Sequence, residues 1–479
     1  MTRSRPENCA PLPQFADLLG KQVRLLGIGG SGMAGLAALL LRRGVRVSGY
    51  DQCPSQKIDE LRALGADIFV GDAEAARVAP ADYVVASAAI HDDHPEISRA
   101  RQNKIPILKY AQMLGALTRH FSGVAISGTH GKSTTTAWLT YTCQLAGLDP
   151  SFIVGAEVAQ LGGGSGAGDG AHFIVEACEY YRSFLHLEPY AATILNVEED
   201  HLDCYANIGE IVEAFCALAA RVRADGALLL NADMPHATAI AAAASCHVTT
   251  FGFSPRADIR ATNVKLENGT YQFDIVERDS PRGRMHLHLA GKHNVANGLA
   301  VAGLARKCGV GWADIQKGLE TFQGAGRRMQ LRLTTEDGIR IIDDYAHHPT
   351  EIAATIAAAR ERYAPHRLWC VFQPHQHSRT RFFLEDFARS FAGADRVIVP
   401  DIFFVRDTQR DKESVNAMDL VERVCANGQE AHYIESFGGI ASEIIAGIAP
   451  GDVVLTLGAG NIWKVADDLV CRLQANLHR

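Results

Sequence analysis

The sequence predicts a three-domain α/β protein, and three observations support this fold class. The chain has 479 residues, which at roughly 150 residues per domain corresponds to about three domains. Short apolar runs alternate with helical stretches along most of the chain, a rhythm typical of parallel sheets. Two glycine-rich turns each follow an apolar run and lead into a helix. The predicted domains span residues 1–115, 116–326 and 327–479.

Composition and charge exclude several classes of protein. Hydrophobic residues make up 47% of the chain and charged residues 21%, as in globular rather than disordered or fibrous proteins. The 47 Lys and Arg against 54 Asp and Glu give a net charge of −7, which argues against a nucleic-acid scaffold. No stretch approaches the ~18 apolar residues of a membrane span, and residues 1–20 lack the apolar run of a secretory signal. Because the 11 cysteines include no CxxC pair, we expect a reduced, cytoplasmic protein that binds neither nucleic acid nor membrane.

The first domain begins with a strand, a glycine-rich turn and a helix. The strand Val23–Leu26 leads into Gly27–Gly32, which has the spacing Gly-x-Gly-x-x-Gly, and Ala34–Arg43 reads as the helix. Asp51 ends the next strand. This pattern matches the dinucleotide fingerprint, in which glycines let the backbone approach a pyrophosphate at a helix N-terminus. The spacing does not separate NAD from another nucleotide diphosphate, and a tight turn without a ligand would share it.

A second glycine-containing turn begins the central domain. The strand Val124–Ile126 runs into Gly128–Thr134, and a helix follows. In such a segment the N–H groups cradle phosphates, Lys132 reaches the β- and γ-phosphate oxygens, and the hydroxyl of Ser133 binds Mg²⁺. Because Ile126 stands where the common phosphate loop has its first glycine, the loop is a variant of that motif. We predict a nucleoside triphosphate site here, with Lys132 exposed in the loop.

Polar residues follow further strands of the central domain. Glu176 ends an apolar run, where a carboxylate can hold Mg²⁺ directly or through water, although an ordinary exposed carboxylate is also found there. The segment Asn196–Asp203 gathers acceptors after another strand, and His201 within it suits a metal ligand, a base or a cap. The glycine-rich stretch Leu161–Gly170 predicts a surface loop, and the alternation over 260–289 predicts an antiparallel patch of sheet.

The third domain places histidines and arginines after two of its strands. The segments Asp343–Thr350 and Gln373–Arg381 both follow apolar runs, at the strand ends where open α/β sheets bind ligands. A structural zinc site is disfavoured because neither an HExxH pattern nor a cysteine partner accompanies the histidines. Arg379 and Arg381 suit a carboxylate or a phosphate, although a solvated face would carry the same residues.

Taken in order, these segments resemble the Mur ligases of bacterial peptidoglycan synthesis, over nearly the whole chain. The matching stretches are Gly27–Met33, Gly128–Thr136, Glu176 with Ser183–Leu187, Asn196–Asp203, Gly291–Asn297, Gly324–Arg328, Asp343–Glu351, Gln373–Arg381 and Gly458–Ile462. The resemblance implies Rossmann-like N- and C-terminal domains with parallel sheets, which flank a central P-loop ATPase-type α/β domain. It also implies that the first glycine loop holds the diphosphate of a UDP-sugar and not NAD.

Within the family, the chain is similar to the members that join L-alanine to UDP-N-acetylmuramate. The implied reaction uses ATP and Mg²⁺ to convert the lactyl carboxylate into an acyl phosphate, which the amine of L-alanine then attacks. The implied partners are the two substrates, and the implied assembly is a monomer or a homodimer. Three alternatives stay open: a ligase that attaches a recycled murein tripeptide to the same UDP-sugar, an NAD-dependent oxidoreductase, and a non-catalytic nucleotide switch.

The resemblance also implies roles for individual residues. The implied ATP-binding residues are Gly128, Thr129, His130, Gly131, Lys132, Ser133, Thr134, His293, Asn297 and Arg328. The implied UDP-sugar-binding residues are Gly29, Gly30, Ser31, Gly32, Met33, Asp51 and Ser183. Those of the amino-acid site are Tyr345, His347 and Arg379, and those of the metal site are Ser133, Glu176 and His201. The expected catalytic residues are Lys132, His201 and His347, the last as a candidate base for the amine.

Several positions depart from the family pattern. Gln376 stands where many relatives carry arginine, which leaves Arg379 as the guanidinium expected at the alanine carboxylate. Cys178 replaces the acidic residue of a frequent Glu-Ala-Asp-Glu pattern, so no metal role is assigned there. Ser133 replaces a more usual threonine, which is a mild change because both hydroxyls bind Mg²⁺.

Overall fold

The computed structural model describes residues 13–72 and 80–477. Three sheets follow one another along the chain, and helices cover their faces. The predicted α/β class with three mainly parallel sheets is confirmed. Within the described ranges, none of the helices combines the length and the apolar character that crossing a bilayer would require.

The first sheet is parallel and carries the first glycine loop at its centre. Its strands are β1 (Gln22–Leu26), β2 (Arg46–Asp51), β3 (Asp67–Val70), β4 (Tyr83–Ala86) and β5 (Ile107–Lys109). Its helices are α1 (Ser31–Arg42), α2 (Gln56–Ala63), α3 (Pro95–Gln102) and α4 (Tyr110–His120). The strand order is β3-β2-β1-β4-β5. Since helices cover both faces, β1 is buried over four of its five residues. The charged residue among them, Arg24, pairs with Glu96 of α3 at 2.8 Å, as a buried charge requires.

The second sheet has ten strands and carries the phosphate-loop segment. Its strands are β6 (Ser122–Ser127), β7 (Ser151–Ile153), β8 (Ser165–Gly166), β9 (His172–Glu176), β10 (Ala191–Ile194), β11 (Ala227–Asn231), β12 (His247–Gly252), β13 (Ile259–Glu267), β14 (Thr270–Glu277) and β15 (Ser280–His286). Its helices are α5 (Lys132–Leu145), α6 (Ile208–Arg221), α7 (Ala237–Ala243), α8 (His293–Lys307) and α9 (Trp312–Thr321). The order is β15-β14-β13-β12-β11-β10-β6-β9-β7-β8. Strands β13 to β15 pair antiparallel, as predicted for 260–289.

The glycine-rich stretch Leu161–Gly170 is more ordered than a surface loop. Its strand β8 pairs antiparallel with β7 and lies against α1 of the first sheet. A Cβ atom on Gly35 of α1 would come within 2.7 Å of Cβ of Ser165. The predicted surface loop is therefore wrong for this part, because small residues on both sides let the two domains approach closely.

The third sheet is parallel except at one edge. Its strands are β16 (Gln330–Thr334), β17 (Arg340–Asp344), β18 (Leu368–Phe372), β19 (Arg396–Val399), β20 (Glu430–Tyr433) and β21 (Val453–Leu457). Its helices are α10 (Pro349–Tyr363), α11 (His377–Phe382), α12 (Leu384–Ser390), α13 (Gln409–Lys412), α14 (Ala417–Ala426), α15 (Phe437–Gly447) and α16 (Trp463–Leu477). The order is β16-β17-β21-β18-β19-β20, with β16 antiparallel to β17. The segments that follow β17 and β18 contact those that follow β6 and β10, and the candidate site lies at these contacts.

Candidate active site

The phosphate-loop segment lies between β6 and α5, as predicted. Gly128 has φ +136° and Gly131 has φ +84°, a region that side-chain-bearing residues rarely adopt. A Cβ on Gly128 would also lie 3.0 Å from Cβ of Leu195. The side chain of Asn196 holds the loop from β10, since its Oδ1 accepts from the N–H of His130 at 2.7 Å. The backbone of this loop is therefore held in place, and its role as a phosphate cradle stays a prediction.

Lys132 is paired with a carboxylate and is not an exposed loop lysine. Its Nζ lies 3.1 and 3.0 Å from the two carboxylate oxygens of Glu179, and it also donates to the carbonyl of Thr129 at 3.0 Å. The side chains of Lys132 and Glu179 are only 15% and 4% exposed. Burial alone would lower the pKa of Lys132, but Glu179 outweighs it and raises that pKa. The expectation of an exposed lysine is wrong because the chain after β9 folds back over the loop.

His130 joins the phosphate loop to the C-terminal domain. Its Nδ1 lies 3.1 Å from Oε1 of Glu351, the third residue of α10, and its Nε2 lies 3.3 Å from Oε2 of Glu198. Burial would lower the pKa of His130, but the carboxylates of Glu351 and Glu198 outweigh it and raise the pKa to about 9. The imidazole is therefore a cation at neutral pH.

Four of the predicted ATP and alanine residues, Ser133, Arg328, Tyr345 and His347, form one row. The guanidinium of Arg328 lies 3.5 Å from Oγ of Ser133 and its carbon lies 4.9 Å from the ring centroid of Tyr345. The rings of Tyr345 and His347 are 5.3 Å apart. The backbone N–H of His347 donates to Glu351 at 3.0 Å, which fixes the turn that carries it. The row thus runs from the phosphate loop into the C-terminal domain.

Arg379 is placed at the domain boundary and not in an open pocket. Its guanidinium lies 2.5 Å from Oδ1 of Asp200 in the central domain, and both side chains are 7% exposed. Burial alone would raise the pKa of Asp200, but the charge of Arg379 outweighs burial and holds that pKa well below its usual range. The guanidinium therefore already has a carboxylate partner, and a role toward the alanine carboxylate stays a prediction.

Two of the predicted metal residues, His201 and Glu176, lie near the Lys132–Glu179 pair. Nε2 of His201 lies 3.6 Å from Oε1 of Glu179, and the charge of Glu176 is close enough to raise the pKa of Lys132. Burial lowers the pKa of His201, which favours the neutral imidazole that can bind a metal. His201 also has φ +53°, a backbone strain of the kind found at functional sites. Carboxylate and hydroxyl oxygens are the donors that Mg²⁺ prefers.

His293 and Asn297, predicted at the adenine, begin α8 beside the phosphate loop. Asn297 packs directly behind the loop, since a Cβ on Gly131 would lie 2.9 Å from its Oδ1. Its Nδ2 donates to Oδ1 of Asn294 at 3.0 Å, which fixes the orientation of the amide. His293 is the first residue of α8 and is exposed. Both residues are thus next to the cradle, and their contact with adenine stays a prediction.

The first glycine loop lies between β1 and α1. Oδ2 of Asp51 accepts from the N–H of Gly29 at 2.8 Å, so this carboxylate braces the loop. The side chain of Met33 is 3% exposed and belongs to the core, which leaves only its backbone facing outward. Gly32 has no room for a side chain, because a Cβ would lie 2.7 Å from the hydroxyl of Tyr110.

Ser183 lies in a short helical stretch at the joint of the first and central domains. Its Oγ donates to the carbonyl of Tyr180 at 2.6 Å. The stretch Tyr180–His186 packs against α4 of the first domain. Tyr181 and Arg182 within it have φ +50° and +55°, which places backbone strain at this joint.

Four acidic residues of the site carried no assignment from the sequence. They are Glu179, Glu198, Asp200 and Glu351, and each pairs with a predicted site residue. All four lie inside or next to segments that follow strands, and this location could have marked them as candidate site residues. Their partners lie 47 to 221 residues away, and no sequence pattern encodes such pairings.

Comparison with known families covers all three sheets. Residues 22–122 match the model described as Mur ligase family, catalytic domain. Residues 126–305 match the Mur ligase middle domain. Residues 327–460 match the Mur ligase, glutamate ligase domain.

Individual relatives match over almost their full length. The UDP-N-acetylmuramate–L-alanine ligase of Clostridium acetobutylicum is 39% identical over 451 residues, which cover 94% of this chain and 97% of the relative. The enzyme of the same name from Salinibacter ruber is 39% identical over 452 residues, 94% of each chain. The crystal structure of UDP-N-acetylmuramate–alanine ligase from Thermotoga maritima superposes with a TM-score of 0.79 at 26% identity, over 95% of this chain and all of that one. This chain belongs to the Mur ligase family.

Proposed function

We propose that this chain catalyses the ATP-dependent ligation of L-alanine to the lactyl carboxylate of UDP-N-acetylmuramate, a step of peptidoglycan synthesis. The observation that carries the proposal is the identity of 38 to 39% to ligases of that name over 93 to 95% of the chain. The proposed division of labour assigns the UDP-sugar to residues 1–115, ATP to 116–326 and L-alanine to 327–479. The sequence relatives at this identity carry the name of the alanine ligase and not of an oxidoreductase or a nucleotide switch. A murein peptide ligase from Psychrobacter arcticus superposes with a TM-score of 0.67 at 22% identity, below the 0.79 of the alanine ligase from Thermotoga maritima.

The first half of the reaction needs an activated carboxylate, because oxide is too poor a leaving group for an amine to displace. Transfer of the γ-phosphoryl group of ATP to the lactyl carboxylate supplies an acyl phosphate. The phosphoryl group in flight carries negative charge, and fixed cations stabilise it most when they need not reorganise. Lys132 is held in the loop by Glu179, and Arg328 reaches Ser133 from across the domain boundary. These fixed positions support the proposal that both cations stabilise the transferred phosphoryl group.

Mg²⁺ fits the donors that face this loop. We propose that Ser133, Glu176 and His201 hold it, on the strength of their hydroxyl, carboxylate and neutral imidazole groups. When bound, Mg²⁺ neutralises charge on the phosphate oxygens. Glu179 contacts both Lys132 and His201 and so fixes the positions of these two side chains relative to each other.

The second half is attack of the amine of L-alanine on the acyl carbon, through a tetrahedral intermediate from which phosphate leaves. The amine must lose a proton first, and we propose His347 as the base because it follows Tyr345 and Arg328 in the row that leaves the phosphate loop. Histidine is suited to this role near neutral pH. Arg379 is the proposed contact for the alanine carboxylate.

Water must be kept from the acyl phosphate, which it would hydrolyse. The pairs His130 with Glu351 and Arg379 with Asp200 link the central and C-terminal domains on either side of the row. These contacts exclude solvent from the boundary and support a closed arrangement of the two domains during turnover.

Phosphate release provides the test. The full chain is incubated with ATP, Mg²⁺ and UDP-N-acetylmuramate, with and without L-alanine, and in a third arm with the murein tripeptide L-alanyl-γ-D-glutamyl-meso-diaminopimelate. Release that depends on L-alanine is the expected outcome. Release with the tripeptide but not with L-alanine would replace the proposal by the tripeptide ligase. The cytoplasmic location and the monomer or homodimer stay predictions, the latter open to sedimentation analysis.

A further inference from the structure

Lys57 lies beside the first glycine loop without belonging to it. It is the second residue of α2, and its Nζ lies 3.0 Å from Oγ of Ser31, the first residue of α1. The same Nζ lies 2.9 Å from Oε1 of Glu157 in the central domain. One ammonium group therefore touches both the start of α1 and the neighbouring domain.

The start of α1 favours a negatively charged group. A helix leaves its first N–H groups without partners inside the helix, and the aligned peptide dipoles make that end positive. The N–H of Gly29 is already used by Asp51, so the free donors belong to the first turn that begins at Ser31. The ammonium of Lys57 adds a full positive charge next to these donors, whereas the carboxylate of Asp51 at Gly29 adds a negative one.

Glu157 binds Lys57 only weakly, and the backbone of Glu157 is held in place independently of Lys57. The side chains of Lys57 and Glu157 are 35% and 63% exposed, and ion pairs of this kind contribute little to stability. The backbone of Glu157 is held from another direction, because its carbonyl accepts from the N–H of Gly326 at 2.7 Å, in the segment that leads to the C-terminal domain. A ligand with more negative charge than one carboxylate can therefore take Lys57 while Glu157 stays where it is.

We propose that Lys57 exchanges Glu157 for the diphosphate of the bound UDP-sugar, so that Lys57 is a binding residue for the nucleotide and Glu157 competes with that nucleotide. The inference rests on the proposed function for the identity of the ligand. The proposal supplies a positively charged side chain to the first glycine loop, whose own residues from Gly27 to Met33 include no Lys or Arg.

The test compares Lys57→Met with Glu157→Gln in the full chain. For Lys57→Met we expect the KM for UDP-N-acetylmuramate to rise about ten- to a hundredfold, the usual effect of losing a charge-assisted contact. For Glu157→Gln we expect that KM to fall, by about two- to fivefold, because a weak exposed competitor is removed. The KM values for ATP and L-alanine should not move. If the Lys57–Glu157 pair were only a brace between domains, both variants would move the KM in the same direction, and that result would overturn the proposal.

Lys21→Met is the matched control. Lys21 is also an exposed lysine of the first domain, paired with Asp82 at 3.3 Å, but it precedes β1 and so lies at the opposite end of the strand from the loop. Lys21→Met removes the same charge as Lys57→Met and should leave every KM unchanged. A KM shift in this control equal to that of Lys57→Met would reduce the effect to net charge and overturn the proposal.

Calorimetry with UDP as the probe separates this inference from the proposed function. Weaker UDP binding by Lys57→Met than by the parent and by Lys21→Met would support the inference even if no ligation were observed. Equal UDP binding by all three, together with normal ligation by the parent, would remove Lys57 from the site and leave the proposed function intact.

Discussion

The two glycine loops of the molecule share a backbone plan and differ in how their charges are arranged. Each follows a strand in the interior of its sheet and begins a helix, α1 of 12 residues and α5 of 14. At the first loop, the brace is Asp51 from the neighbouring strand, and the nearby cation is Lys57, which is 35% exposed. At the second loop, the cation Lys132 is part of the loop and is 15% exposed.

The carboxylates around the second loop come from two domains. Glu179 follows β9 of the same sheet, whereas Glu351 belongs to α10 of the C-terminal domain. The contact of His130 with Glu351 therefore forms only when the two domains meet, while the brace of the first loop stays within its own sheet. The comparison indicates that a site for binding needs a stable backbone, whereas a site for phosphoryl transfer also needs charges fixed in advance.

The largest effect is expected at the second loop from Lys132→Ala. Loss of one preorganised cation should lower kcat by a factor on the order of a hundred to a thousand, or ~3 to 4 kcal/mol in the barrier. It also removes the ammonium partner of the buried Glu179, which keeps only the more distant His201 at 3.6 Å, and this should destabilise the fold by up to ~3 to 5 kcal/mol. Steady-state kinetics and thermal unfolding measure the two effects separately.

The double variant Lys132→Ala with Glu179→Gln separates catalysis from stability. Because the amide carries no charge, most of the lost stability should return while the rate stays low. A single variant that keeps the parent rate would remove Lys132 from the phosphate site. A double variant as unstable as the single one would show that Glu179 is not the cause of the instability.

The link between His130 and the C-terminal domain should depend on pH. Raising the pKa of His130 from 6.5 to about 9 corresponds to about 3 kcal/mol in favour of the charged form in the folded state, as an upper value. Since the folded pKa is the higher one, this contribution is complete below about pH 6.5 and is lost as the pH rises through about 9. Unfolding of the parent and of His130→Gln between pH 6 and 9.5 should therefore give curves that converge at high pH. Parallel curves would contradict the assignment of a charged imidazole.

The buried Arg379 connects the boundary to the amino acid. Arg379→Ala should raise the KM for L-alanine by about ten- to a hundredfold, the value of a lost charge-assisted hydrogen bond of ~1.5 to 3 kcal/mol, with little change for ATP. Part of the loss should appear in kcat, because a misplaced amine attacks less well. Asp200→Asn is the control, since it keeps the guanidinium and removes only its partner. An equal rise in both variants would assign the effect to the Arg379–Asp200 pair and not to alanine binding.

The parts of the fold that depend on local pattern were open to prediction from the sequence. Apolar runs and turns located β1, β6 and the strands that end at Glu176, Asp344 and Phe372, because a buried parallel strand has a continuous apolar signature. The spacing of glycine and lysine also located the two strand–turn–helix units that begin α1 and α5. Strand β8 was missed because two residues in a glycine-rich stretch carry no strand signature, and only the contact with Gly35 of another domain explains them.

The charge pairs of the site could not be predicted in the same way. The sequence predicted Lys132, His130 and Arg379 as site residues, but it indicated neither their burial nor their partners. Those partners depend on how two domains meet, as in the pairing of Arg379 with Asp200 across 179 residues. The resemblance to a family supplied the list of site residues, while the carboxylates that neutralise them emerged only from the three-dimensional arrangement.

The smallest effect is expected at the first loop, from the brace Asp51. Asp51→Ala leaves the N–H of Gly29 without its acceptor, but this half-buried group can bond to water instead, so the KM for the UDP-sugar should rise by only about fivefold, or ~1 kcal/mol. Asp51→Asn keeps an oxygen at the same place and should change that KM by less than about twofold. Neither variant should alter the KM for ATP, because the brace lies within the first sheet. A loss in Asp51→Asn as large as in Asp51→Ala would mean that the charge of Asp51 meets the ligand itself, and a parallel change in the KM for ATP would show that the first loop is coupled to the second.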